Sequence, residues 1–384
     1  MSKPIDARTR GAAAEFDLAV VGAGIVGLGC ALAGARRGLR VVVIERDART
    51  NGASVRNFGL VTITGQDRAQ IWRRARRSRE IWLDVAARAG IEVAQRGLWL
   101  AARRPEAAAV LDAFMRTDMA EGCRMLGADA ARRHCADLRT EGLEAVLESP
   151  HELRVESRDA LPALALHLER DLGVCFRWQT AVHAVQTPVI ETSRGPLRAD
   201  SAVVCPGDDL TTLFPRFLAD AGIRRCTLQM LRLESPGFRL PGTLMSDLSL
   251  LRYGGFASLP EAAALAVRLR TEQSEHLRHG IHLIVAQGGD GSLVIGDSHL
   301  YDTSIEPFAD ERIAALLFDE YRAVTGRPPP AVRERWSGTY ASAERGCILV
   351  ETPAPATRLV MVTSGVGAST GFAVGEEVIN DLYQ

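Results

Sequence analysis

The chain has 384 residues, 47% of them apolar, and a formal charge of −1. That length allows a large buried core and two domains, while the neutral balance removes any general attraction to nucleic acid or to an anionic membrane. No apolar run approaches the roughly 20 residues of a membrane-spanning helix, and seven cysteines without a Cys-x-x-Cys pair read as reduced, mostly buried thiols rather than disulfides or metal ligands.

Residues 1–15 hold no apolar core of signal-peptide length, so they read as a disordered tail and the protein as cytoplasmic. An apolar run of strand length, Phe16 to Val21, then ends in Gly22-Ala23-Gly24-Ile25-Val26-Gly27 and a stretch of small residues suited to a close-packed helix. A second strand, Val41 to Ile44, closes on Glu45 and Arg46. Gly22 permits the tight turn, Gly24 lets the backbone approach a pyrophosphate, and Gly27 lets the helix press on the strand. The helix N-terminus favours phosphate, and Glu45 can accept hydrogen bonds from a ribose. Strand, glycines, helix, strand and acid in this order predict a Rossmann-like fold with a bound dinucleotide.

The segment Asn51 to Val61 should return beneath the cofactor, with Ala53, Ser54, Arg56, Asn57, Phe58 and Gly59 as its binding loop. A helix is expected over 66–89, its arginine run a solvated face rather than a nucleic-acid patch. Strands follow over 91–102, then mostly helix over 105–133. A helix over 160–171 has Ser157 or Asp159 as cap, short strands cover 173–178 and 181–185 (with Val182), and a buried strand runs to Gly207. A second unit alternates as half-exposed strands do over 228–234, 250–256 and 282–286, turns at Asp290-Gly291-Ser292 into a strand over 293–299, and ends in a helix over 309–325. Last, a strand over 359–364 enters a second glycine turn, Gly365 to Phe372, whose helix N-terminus can stabilise negative charge on a bound ring.

The expected organisation is therefore an α/β, Rossmann-like cofactor domain from 16–85, 155–209 and 336–384, interleaved with an antiparallel-sheet α+β substrate domain from 86–154 and 210–335. Lys3 is the only lysine, which excludes Schiff-base chemistry and makes any anion clamp arginine-based.

These residues resemble the FAD-dependent amine oxidoreductases typified by D-amino-acid, glycine and sarcosine oxidases. The resemblance rests on Gly22-x-Gly24-x-x-Gly27 with Glu45, the Gly52-Ala53-Ser54 loop, Val203 to Gly207, Trp336-Ser337-Gly338 and Gly365 to Phe372. Ala53 to Gly59 and Gly296-Asp297-Ser298-His299 further resemble a subgroup associated with phosphonate breakdown. The resemblance implies FAD rather than NAD, held by these residues together with Gly338, Gly367, Ser369, Thr370 and Gly371. Two departures stand out. The glycine and D-amino-acid oxidases carry Gly-x-Arg-Pro where this chain has Gly338-Thr339-Tyr340-Ala341, and sarcosine oxidases carry, at Ala373, a lysine tied to oxygen activation.

The expected reaction is hydride transfer to flavin N5 from the carbon beside the nitrogen of a small anionic amine, followed by imine hydrolysis. Oxygen, a quinone or an electron carrier serves as acceptor, and the protein is a monomer or dimer. Arg56, Arg252 and Arg345 are the candidate clamps, with Tyr253, Tyr340 and His299 as polar helpers. The alternatives are a flavin-dependent 2-hydroxy acid dehydrogenase, with His299 or less plausibly His151 as base, and a flavin-binding protein without turnover.

Overall fold

The computed structural model describes residues 14–136 and 139–384. The tail expected over 1–15 lies outside them except for Ala14 and Glu15, the Glu15 N–H donating to the Arg198 carbonyl at 3.1 Å.

The first sheet orders its strands Ile348–Ala354, Thr357–Val362, Leu197–Val204, Phe16–Val21, Val41–Ile44 and Cys175–Arg177. Thr357–Val362 and the strands after it in this order run parallel, with Val20 opposite both Val43 and Val203. Unbroken apolar runs suit this sheet because both of its faces are covered. Leu18, Val20, Val41 and Val43 pack on one side with the helices, while Ala19, Val42, Ile44 and Val204 form a separate core on the other. The helices Ile25–Arg36 and Gly367–Leu382 follow the two glycine turns and cross each other closely. At the crossing, a Cβ on Gly29 would meet the Gly371 carbonyl oxygen at 2.6 Å.

The second sheet has ten strands, with Arg224–Leu233, Leu293–Gly296, Ile284–Gln287, Thr243–Ser246, Val93–Ala102 and Ala145–Val155 along its middle. Its pairs are antiparallel except Thr243–Ser246 on Val93–Ala102. The strand Val332–Ser342 pairs with Arg224–Leu233 from Arg224↔Ser342 onward, so residues 336–342, grouped above with the cofactor domain, belong to this sheet.

Several local expectations change. Residues 250–256 form no strand: a 3-10 turn covers Asp247–Leu251 and a short helix Gly254–Ala257. The physical reason is contact, since a Cβ on Gly255 would meet the Gln66 carbonyl at 2.5 Å and Gly65 at 2.8 Å. The helix Ser157–Leu172 has Glu156 at its N-cap position, and neither Ser157 nor Asp159 caps it. Glu156 instead accepts from Arg154 at 2.9 Å and Arg232 at 2.7 Å. The helix expected from Gln66 begins at Gln70, because the Gln66 side chain is turned inward to donate to the Thr62 carbonyl at 3.1 Å. Within 105–133, the strand Arg124–Leu126 separates two helices.

Candidate active site

A cavity of about 750 Å³ lies where the two sheets meet, lined from both. Gly24 to Gly27 form one wall, faced by Ala53, Ser54, Arg56, Asn57 and Phe58. The Ser54 hydroxyl oxygen accepts the Ile25 N–H at 2.9 Å, pinning the loop to the helix start. Asn57 locks the same loop, donating to the Ala53 carbonyl at 2.8 Å and accepting the Gly59 N–H at 2.7 Å. Gly27 is compulsory, since a Cβ there would fall on the Gly22 carbonyl oxygen. This turn leaves backbone exposed beside a helix N-terminus, as a pyrophosphate requires.

The other end is built by the second sheet and the last glycine turn. Ser364 to Ser369 run along it, with Gly338, Thr339 and Tyr340 alongside. Arg252 Nη2 donates to the Tyr340 hydroxyl at 3.1 Å. Next to them His282, Asp297 and His299 are all buried yet line the same cavity. His282 Nε2 lies 3.1 Å from Asp297 Oδ1, without hydrogen-bond alignment, and His299 Nε2 lies 3.8 Å from Oδ2. The imidazole rings stack at 5.1 Å, and Tyr253 meets His282 edge-on at 5.7 Å. Burial pushes the Asp297 carboxyl up to about 7 against the pull of Arg252. Burial, reinforced by Arg252, holds the His299 imidazole down to about 3. His282 is held well below its ordinary value by burial and by the neighbouring His299. The end wall thus presents the Arg252 guanidinium, with Arg224 over the Tyr301 ring at 4.7 Å, together with tyrosine hydroxyls and neutral imidazoles.

The structure brings Arg56, Arg252, Tyr253, His299 and Tyr340 to the cavity, along with Gly24, Ile25, Val26, Gly27, Gly207, Gly338, Gly365, Gly367 and Ser369. Arg345 is not among the lining residues: it is exposed, between Glu344 and Gly346, which do line the cavity. His151 is not among them either, with Nε2 held 2.6 Å from the Glu121 carbonyl, away from the cavity. Gly22, Ala23, Glu45, Arg46, Gly59, Val182, Thr370 and Gly371 do not line it. Glu45 accepts the Ala23 N–H at 2.8 Å and so supports the turn, and Arg46 pairs with Asp209 at 2.7 Å. At Gly59 the need is packing, because a Cβ would strike the Val155 carbonyl. Gly371 likewise packs, with Ile25 3.2 Å from its Cβ position. Val182 is core, on a hairpin strand opposite Thr192. His282, Asp297 and Tyr301 also line the cavity, beyond the sequence-based candidates, and Asp297 stands two residues before His299 in Gly296-Asp297-Ser298-His299.

A family model described as FAD dependent oxidoreductase matches residues 17–380. The chain belongs to that family. No curated protein sequence matches this oxidoreductase, whereas solved structures share its fold. Glycine oxidase from Bacillus cereus ATCC 14579 is 16% identical with a TM-score of 0.75, covering 96% of this chain and 95% of its own. L-proline dehydrogenase from P. horikoshii is 16% identical with a TM-score of 0.77 over 97% and 94%. Iminodiacetate oxidase from Chelativorans sp. BNC1 is 17% identical with a TM-score of 0.70 over 94% of each chain. The cofactor of this flavoenzyme is FAD, and the glycine cradle fits it: Gly24 to Gly27 line the cavity at a helix start, and a Cβ at Gly24 would crowd Ser54 Oγ at 3.2 Å. Family membership with an intact cavity sets aside the reading of a binder without turnover. No helix among the described residues is long and apolar enough to cross a membrane.

Proposed function

We propose that this oxidoreductase oxidises the carbon–nitrogen bond of a small anionic amine: an amino acid, an N-alkyl amino acid or an aminoalkylphosphonate. The observation that carries the reading is the pairing of Arg252 with Tyr340 at the end of the cavity opposite the glycine cradle. Tyr340 stands where the resemblance expects an arginine, and Arg252 returns a guanidinium to that place from another segment. Bound FAD supplies the hydride acceptor. The protein's share is to hold the anion at Arg252, orient the amine beside the buried His282, Asp297 and His299, and keep bulk water out. Similar structures include enzymes whose names state amine substrates, glycine, L-proline and iminodiacetate. The resemblance of Ala53 to Gly59 and Gly296 to His299 favours an aminoalkylphosphonate or its N-alkyl form within this class.

Anaerobic mixing of the flavin-loaded enzyme with amino acids, N-methyl amino acids and aminoalkylphosphonates tests this. Bleaching of the flavin absorbance by members of that panel is expected, strongest for the phosphonates. Bleaching by 2-hydroxy acids of the same carbon skeleton, with the amines inert, would replace the proposal by alcohol oxidation.

A further inference from the structure

We propose that Asp297 is the group that accepts the ammonium proton of the amine substrate, with His282 and His299 as positioning residues that flank its carboxyl. The proposal rests on the amine-oxidation reading above. An amine arrives protonated at neutral pH, and loss of hydride from carbon requires a free lone pair on nitrogen, so a proton must leave first.

Hydrogen bonding decides where it can go. The His299 Nδ1–H is committed to the Gly280 carbonyl at 2.8 Å, an assignment made from this partner. Nε2 of that ring is therefore a bare lone pair, and it faces Asp297 Oδ2 at 3.8 Å. His282 sets Nε2 at 3.1 Å from Oδ1, its Nδ1 being 3.4 Å from the Ser249 hydroxyl. Asp297 Oδ1 is buried without a hydrogen bond. A carboxylate facing a ring lone pair is repelled, whereas a neutral carboxylic acid is not. The surroundings thus favour the protonated acid, in keeping with its raised affinity for protons.

The other titratable groups around Asp297 are Arg252 and Tyr253 from the 3-10 turn and its flank, Tyr301, Tyr340 and Cys226. Two permanent cations stand among them, Arg252, the group that would hold the substrate's anion, and Arg224 over the Tyr301 ring. The balance is simple. The substrate N–H bond breaks, its electron pair stays on nitrogen, and the proton forms O–H on Asp297. An ion pair becomes a neutral amine and a neutral acid, which a dry site favours.

The pH dependence of kcat/KM for an amine that bleaches the flavin tests this in the holoenzyme. Wild type should rise with pH through about 7. In Asp297→Asn the rise should move to the amine's own ionisation, near ~10 for an alkylammonium, with kcat/KM at neutral pH lower by about 10²- to 10⁴-fold. His299→Gln, whose amide can donate to Asp297, should move the rise to lower pH, a shift that loss of packing alone would not produce. Difference infrared spectra of the substrate-free holoenzyme should show a protonated carboxyl titrating in wild type and missing in Asp297→Asn. Bleaching with the rise unmoved in Asp297→Asn overturns this proposal alone; a stoichiometric divalent cation bound by the three side chains also overturns it. A flavin left oxidised by every amine overturns the amine reading and this proposal with it.

Discussion

Arg252 shows how a single side chain can be conspicuous in sequence for the wrong reason. It was singled out as part of an alternating apolar strand, yet it follows a 3-10 turn and reaches the cavity from its C-terminal end. The guanidinium fork matches a carboxylate or phosphonate, and its position beside the Tyr340 hydroxyl leaves donors for a ligand. Arg252→Ala should raise KM for the preferred anionic amine roughly a hundredfold, about 2–3 kcal/mol, with a smaller change in kcat. Arg252→Lys should recover only part of that loss, because a point charge cannot bind in two places at once. Steady-state kinetics on both variants is the check, and an unchanged KM in Arg252→Ala removes the clamp. Asp297 carried no comparable signal. An acid acquires this chemistry only when burial and ring lone pairs surround it, and those arrive from residues distant in sequence.

The glycines do different work at the two turns, and at the level of helices they act together. Those at Gly22, Gly24 and Gly27 were legible because strand, turn and helix are contiguous, although in the folded chain Gly22 and Gly24 also face Cys205 and Ser54. The reason for Gly29, Gly371 and Gly375 was not legible. They let the helices Ile25–Arg36 and Gly367–Leu382 cross with their backbones in contact, and a Cβ on Gly375 would fall on the Gly29 backbone. Gly375→Ala should therefore cost about 1–3 kcal/mol through overpacking. It should also weaken FAD retention, since both helix N-termini line the cavity. Thermal unfolding and flavin content of the purified variant measure the two effects, and a wild-type Tm would show that the helices can separate freely. The segment 250–256 teaches the opposite lesson. Its alternation matched a strand, but close packing on Gly65 and Gln66 holds it as a turn and a short helix.

At the scale of the molecule, the two sheets meet along the cavity, whose lining comes from both. A ligand that binds only the folded state stabilises it by mass action, about 2.7 kcal/mol at a hundredfold excess over Kd. Calorimetry of flavin-stripped protein with and without FAD should show one transition moving to higher temperature; a shift confined to part of a split transition would mean that the cofactor braces only one sheet. Short-range patterns (buried runs, a glycine turn and a helix start within one stretch) were enough to predict a Rossmann-like dinucleotide fold, and the family resemblance, not those patterns, pointed to FAD. Arg252 and Tyr253 stood out as polar groups within an apolar stretch, Tyr340 as the departure from the resembled Gly-x-Arg-Pro, and His299 within the Gly-Asp-Ser-His motif. Only the folded chain could decide that Arg345 faces solvent, that Val332–Ser342 belongs to the second sheet, and that His282 joins Asp297 and His299. Those outcomes depend on strand register and long-range packing, in which residues far apart in sequence become neighbours and no local pattern records the meeting.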